Sequence, residues 1–204
     1  MSGGIVIYLI LLLGFTLVHV VYFGEPLSSL WFHDSYDLLD RSKPLPAWES
    51  YLSDLGVGRF ERDVLIGAAS GLIFVAISRV MSKHLSWAGR LDDEFSQFFK
   101  GQRSAQLTAL AVSSSLVEEI VFRGWLQGLI GWAAASVLFG LLHIPPQRSH
   151  WPWTLTALIM GGVFGGLYEW RGSVTVPAIA HFTINHFNLH ALARRADYAL
   201  SEEA

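Results

Sequence analysis

Charge is scarce in this chain. Of 204 residues, 14 are Lys or Arg and 17 are Asp or Glu, 15% together, against about 25% in an average soluble domain. An ordinary soluble globule needs more than this to cover its surface. Cysteine is absent, which excludes a disulfide scaffold and any thiolate metal site or thiol nucleophile. It does not identify a redox compartment. Neither sign of charge dominates: the net charge is −3 and the pI is near 6.2, so no basic surface for nucleic acid is expected. Internal repeats and low-complexity runs are also missing. What the chain has instead is apolar: 52% hydrophobic residues and a mean hydropathy of +0.40. That excludes a disordered chain and points to an integral membrane protein in contact with the lipid bilayer.

A bilayer core takes about 20 apolar residues as a helix. Runs of that kind fall at 4–23, 64–82, 105–127, 132–144, 151–170 and 174–193. The expected fold is therefore all-α, a polytopic transmembrane helix bundle of about six spans. The first run is almost purely aliphatic. No Lys or Arg precedes it and no small-residue cleavage pattern follows, so it reads as a retained helix rather than a signal peptide. Segment 24–63 is the longest polar stretch, with eight acidic and four basic residues. Within it, Trp48, Leu52 and Leu55 follow Pro44 and Pro46 at helical spacing. Leu91, Phe95 and Phe98 form a second stripe, opposite Asp92, Asp93 and Glu94. Both stripes suit helices lying on the bilayer surface or simply capping the bundle, and capping is the preferred reading. With six spans, eight Lys/Arg fall on the side of Lys83 and the C-terminal tail and six on the other. This bias puts both termini in the cytoplasm.

Of the 31 charged residues, 26 lie outside the spans. Arg79 and Glu169 sit at span ends, where long side chains snorkel. The remaining three, Glu118, Glu119 and Arg123, sit together in the third span beside Ser113, Ser114 and Ser115. Each central charge costs about 2.5–3.5 kcal/mol on insertion, so this helix must face the bundle interior or a wet cavity. Glu119 and Arg123 stand at i, i+4 in the favourable order and neutralise each other. A purely structural ion pair explains those two. It leaves Glu118 without an intrahelical partner, and a desolvated, partly wet carboxylate is a natural general base.

The histidines divide into groups. His33, His84 and His150 fall in polar connections and need only solvation. His19 is alone in the first span and is expected to hydrogen-bond a neighbour. His143 ends Phe139-Gly140-Leu141-Leu142-His143, just before Pro145-Pro146 stop the helix. Gly128 and Gly131 mark a turn between the third and fourth spans. From that turn, Glu118 lies nine residues back along one helix, about 14 Å at 1.5 Å per residue. His143 lies eleven residues forward from Trp132, about 17 Å along the next. Antiparallel neighbours would hold the two at similar depth. In the last span, His181 and Asn185 share one face and His186 and His190 another. Spacing alone leaves open which pair is a site, and a metal pair at His186/His190 stays open with it.

Taken together, Glu118-Glu119-x-x-x-Arg123, Phe139-x-x-x-His143 and His181-x-x-x-Asn185 resemble the three motifs of the CPBP intramembrane proteases. That family includes type II CAAX prenyl endopeptidases and bacteriocin-processing or self-immunity proteins. Phe122-Arg123-Gly124, Gly172-Ser173 and Pro177 extend the likeness, which covers about residues 105–190. The connection from the Glu-Glu motif to His143 is several residues shorter than is usual there. The resemblance divides the chain into N-terminal helices and interfacial segments (1–104), catalytic helices (105–193) and a polar tail (194–204).

The resemblance implies peptide-bond hydrolysis in the membrane, with the active site inside the bundle and a membrane-anchored protein or peptide as substrate. Glu118 would activate water, helped by His143. His181 and Asn185 would hydrogen-bond the oxyanion, and Glu119 and Arg123 would brace the site. Two cofactor readings stand: no metal, or Zn²⁺ or another divalent ion on Glu118, His143 and His181. Asn185, a poor zinc ligand and a good oxyanion donor, favours the first. Two other classes compete, a non-catalytic immunity or binding protein of the same fold and a small ion or proton transporter. All six motif residues are present, which disfavours the former, and no paired repeat supports the latter. In a bacterium the location would be the inner membrane, and a C-terminal sorting tail would be an attractive substrate.

Overall fold

The computed structural model describes residues 2–22, 24, 47–144 and 150–203. His33, Pro44, Pro46, Pro145 and Pro146 lie outside these residues. The described chain is helical: α1 (Ser2–Tyr22), α2 (Ala47–Asp54), α3 (Arg59–His84), α4 (Ser86–Phe99), α5 (Ser104–Glu119), a π-helical segment (Ile120–Leu126), α6 (Gln127–Ile130), α7 (Trp132–Leu141), α8 (Trp151–Arg171) and α9 (Thr175–Glu203).

Local chemistry sets the boundaries. The Gln106 side chain accepts from the Arg103 N–H at 3.1 Å and closes the start of α5. Gly131, at φ 82° and ψ 161°, separates α6 from α7 in a conformation open only to glycine. Pro152 opens the first turn of α8. Left-handed Gly172 ends it, donating its N–H to Tyr168 O at 2.6 Å.

Each expected span is occupied by a helix, with differences. The third is one rod from Ser104 to Ile130 with a π turn in its middle. The fourth is short: α7 has ten residues, about 15 Å, half a bilayer core. His143 therefore lies in the turn beyond α7 rather than at its end. The last helix runs on to Glu203, past the expected limit of 193. Among the described residues, Arg59–His84 and Ser104–Ile130 are long and apolar enough to cross a membrane, and Val6–Val21 and Trp132–Leu141 are shorter apolar helices.

The centre of the bundle is α9, which packs against α3, α4, α5 and α8. Its closest approach is to α3. A Cβ added at Gly71 would stand 2.6 Å from Thr183 Cβ, and one at Gly67 2.7 Å from the carbonyl oxygen of Val176. This small-xxx-small spacing lets two backbones touch. The α7 and α8 helices pair beside it, and α1 lies on α5.

The distribution of polarity is inverted relative to a soluble globule. Val6, Ile10, Leu13 and Leu17 of α1 and Leu65, Ile73, Ile77 and Val80 of α3 are exposed, while Glu119, Arg123, Gln127, Asp63 and Arg171 are buried. Outward aliphatic faces around a polar interior suit a helical membrane protein.

Candidate active site

Helix α5, helix α9 and the turn after α7 bring one motif each. On α5, Ser114 and Glu118 are one turn apart; on α9, His181 and Asn185 are one turn apart. The two helices pack, so the residues meet as rungs. Asn185 Nδ2 donates to Ser114 Oγ at 3.0 Å, and His181 Nε2 stands 4.0 Å from Glu118 Oε2. From the turn after α7, His143 Nε2 reaches to 3.8 Å from the same Oε2. The depth match between Glu118 and His143 is thus realised.

Both imidazoles are oriented from behind. His143 Nδ1 lies 2.7 Å from Phe139 O and His181 Nδ1 2.8 Å from Glu119 Oε1. A carbonyl and a paired carboxylate only accept, so each Nδ1 carries the proton. Each Nε2 is thereby turned toward Glu118. The Thr154 hydroxyl donates to His143 O at 3.0 Å and fixes the turn to α8.

Glu119 and Arg123 form the bracing pair. Arg123 Nε is 3.1 Å from Glu119 Oε2, with side chains 1% and 0% exposed. Arg123 Nη2 donates to Gly161 O at 3.0 Å, and Gln127 Nε2 to Gly165 O at 3.1 Å. Residues four apart on the π-containing rod thus meet glycine carbonyls four apart on α8. The π segment, unforeseen from sequence, is of the kind that recurs at functional sites. The Arg123 guanidinium also lies 4.7 Å from the Phe139 ring and 5.5 Å from that of Phe164, and desolvated contacts of this kind contribute about 2 kcal/mol. The His181 ring stacks on Phe164 at 5.0 Å.

Glu118 differs from Glu119. Its Oε1 accepts from Tyr8 Oη at 2.7 Å; the Oε2 atoms of both glutamates are buried without a hydrogen bond, but that of Glu119 is ion-paired with Arg123 at 3.1 Å. A cavity of about 520 Å³ lies beside Glu118. Glu118, His143, His181 and Asn185 all line that cavity, whereas Glu119 and Arg123 stand behind its wall. The rest of the lining is mostly apolar, including Phe74, Ile77, Trp87, Leu91, Phe95 and Trp153.

Several expectations need correction. The segment 1–104 contributes to the site itself: α1 supplies Tyr8, and α3 and α4 supply cavity wall. Tyr8 is the lone polar side chain between Ile5 and Phe15, which was the available signal. Ser114 had one too, standing four residues before Glu118. The stripe on α4 does not simply cap the bundle, since Leu91 and Phe95 line the cavity. His150 is not merely solvated. It is buried, bonded to Glu94, and packed 5.1 Å from the Phe95 ring. Arg79 donates to Phe187 O at 2.8 Å, and Glu169 accepts from Gln127 at 2.7 Å, so neither simply snorkels. Of the two pairs on the last helix, His181 and Asn185 face the cavity. His186 and His190 instead contact Thr108 at 3.4 Å and Ser104 at 3.0 Å.

A zinc ion held by Glu118, His143 and His181 would need closer donors. Bonds of about 2.0–2.2 Å at tetrahedral angles put ligands about 3.3–3.6 Å apart, less than the 3.8 and 4.0 Å found. Among the described residues, no group of three or more His, Cys, Asp or Glu is arranged to hold a metal ion.

Comparison with known proteins agrees with the motifs. Residues 101–187 match the family described as "Type II CAAX prenyl endopeptidase Rce1-like". The match covers under half of the chain and is a similarity to a family of membrane-embedded proteases. Among curated proteins, the "Uncharacterized protein YpbD" of Bacillus subtilis (strain 168) is 30% identical over 111 residues, covering 54% of this chain and 57% of YpbD. The chain thus spans little more than half the length of that relative. No solved structure matches.

Proposed function

We propose that this protein is an intramembrane endopeptidase that cleaves a membrane-anchored protein or peptide with a water activated by Glu118. One observation carries the reading. A buried carboxylate oxygen without a hydrogen bond faces two imidazole Nε2 atoms at 3.8 and 4.0 Å, at the wall of an apolar cavity. A single water with ordinary hydrogen bonds of about 2.8 Å bridges gaps of that size. The water oxygen bonds to the scissile carbonyl carbon while Glu118 Oε2 takes its proton, with His143 fixing the water. The oxyanion then accepts from Asn185, which has one N–H committed to Ser114 and another to give. His181 donates from Nε2 when its ring carries both protons, its Nδ1–H being committed to Glu119. Donors of this kind are worth about 2.7–4 kcal/mol of barrier each. Glu118 returns the proton to the amide nitrogen as the C–N bond breaks.

The mechanism uses no metal, in keeping with the donor spacing, so a chelator leaves the rate unchanged; loss of activity that zinc restores would overturn this part. The apolar lining supports a substrate with a hydrophobic anchor, such as a prenylated tail or a C-terminal sorting tail. The location that goes with this reading is the inner membrane if the host is a bacterium. The test compares the membrane-anchored proteins of wild-type cells with those of a Glu118→Gln strain. An uncleaved tail confined to the variant identifies activity and substrate together. An unchanged proteome with full function of the variant would mark a non-catalytic binding protein of the same fold instead.

A further inference from the structure

The helix α1 lies outside the Rce1-like stretch, yet it delivers a hydroxyl to the centre of the site. Tyr8 Oη donates to Glu118 Oε1 at 2.7 Å across 110 residues of sequence. Packing does not account for this. The Tyr8 ring lies against the cluster of Val117, Phe122 and Phe139, a role phenylalanine would fill without a polar atom. The neighbouring Ile7, Ile10, Leu11 and Leu13 are exposed aliphatics, so a hydroxyl turned inward is costly unless it is bonded.

Glu118 has reason to need the bond. Arg123, four residues beyond Glu119, is spent on that residue, and no described residue donates to Glu118 Oε2. The terminal torsion of a glutamate is broad and two-fold. Without an anchor on Oε1, the carboxylate can present either oxygen, in a range of orientations, to the space between His143 and His181.

We propose that Tyr8 is a positioning residue: its phenol holds Oε1 and leaves Oε2 as the oxygen that receives the proton from water. The inference rests on the hydrolytic reading above. It makes α1 part of the functional unit, so that the Rce1-like segment alone carries an incompletely ordered site. The phenol keeps its proton throughout and makes no contact with the substrate carbonyl.

The test uses the full chain in proteoliposomes with a quenched fluorescent peptide bearing a C-terminal hydrophobic anchor. Tyr8→Phe keeps the ring and lowers kcat about tenfold, as expected for a lost hydrogen bond to a charged group, with KM within twofold. Leu12→Ala, which thins the packing of the same helix against the core and spares the hydroxyl, keeps kcat within twofold. Wild-type kcat in Tyr8→Phe, or an equal loss in Leu12→Ala, overturns the proposal. A second measurement needs no turnover: the carboxylate stretch of Glu118, identified by infrared difference against Glu118→Gln, shifts in Tyr8→Phe. An unshifted band overturns the contact. If wild type cleaves nothing while the band shifts, the positioning contact stands and the hydrolytic reading falls.

Discussion

Two buried carboxylate–guanidinium pairs can be set side by side. At one end of α3 and α8, Arg171 Nε donates to Asp63 Oδ1 at 2.7 Å, and Arg59 lies 3.7 Å from the other oxygen. Nearer the middle, about 15 Å back along α8, Arg123 pairs with Glu119 beside Gly161. The first joins two helices directly; the second is i, i+4 on one rod and reaches α8 and α9 through Gly161 O and His181. Both bury charge that would be expensive if unpaired. The difference is the neighbour. Beside Asp63 stand Arg59 and Arg62, the latter donating to Val57 O at 2.6 Å. Beside Glu119 stands a second carboxylate with an oxygen left over, turned to a cavity and two histidines. Burial and ion pairing therefore mark structure in both places. The carboxylate without an arginine partner, on a residue that lines a cavity, marks chemistry in one.

Three substitutions break or sharpen that contrast. The largest effect is expected for Glu118→Gln, which removes the base and keeps the volume. Cleavage of the anchored reporter falls about 10³-fold with the melting temperature in detergent unchanged, and a fall in melting temperature matching the loss of activity would instead make Glu118 structural. Next is Asp63→Ala, which removes the carboxylate that Arg171 and Arg59 share. Stability drops by about 3 kcal/mol in denaturant titration, while kcat of the folded fraction stays within twofold; a larger kcat loss would join the two networks into one unit. The smallest is Thr154→Val, which loses the hydroxyl bond to His143 O. It costs about 1 kcal/mol of stability and lowers kcat only modestly, and a kcat effect as large as that of Glu118→Gln would show that the turn, rather than the carboxylate, limits the reaction.

Much of this was legible along the chain. The ion pair of Glu119 and Arg123 followed from i, i+4 spacing, and the meeting of Glu118 with His143 from counting residues out from the Gly128–Gly131 turn. Both rest on the fixed rise of a helix. What failed to show were contacts between helices far apart in sequence. Tyr8 on Glu118, Phe95 in the cavity wall and His150 on Glu94 depend on which helix faces meet: the stripe on α4 is visible in sequence but its partner is not, and aliphatic α1 carries almost no periodic signal of its inner face. The π turn was hidden for a different reason: a hydrogen-bond shift inside an apolar run leaves no compositional mark.

The sequence by itself determined the class of molecule and the chemical groups available to it. Scarce charge demands a membrane, and three charges in one apolar helix demand a polar interior, because solvation energies are set by residue type and not by arrangement. Only the tertiary structure decided which groups do which work. It separated His181 and Asn185 from His186 and His190, placed Glu119 behind the wall and Glu118 in front of it, and gave Oε1 to Tyr8. Those choices are made by helix packing, which fixes the rotation of each helix about its axis to within one side chain.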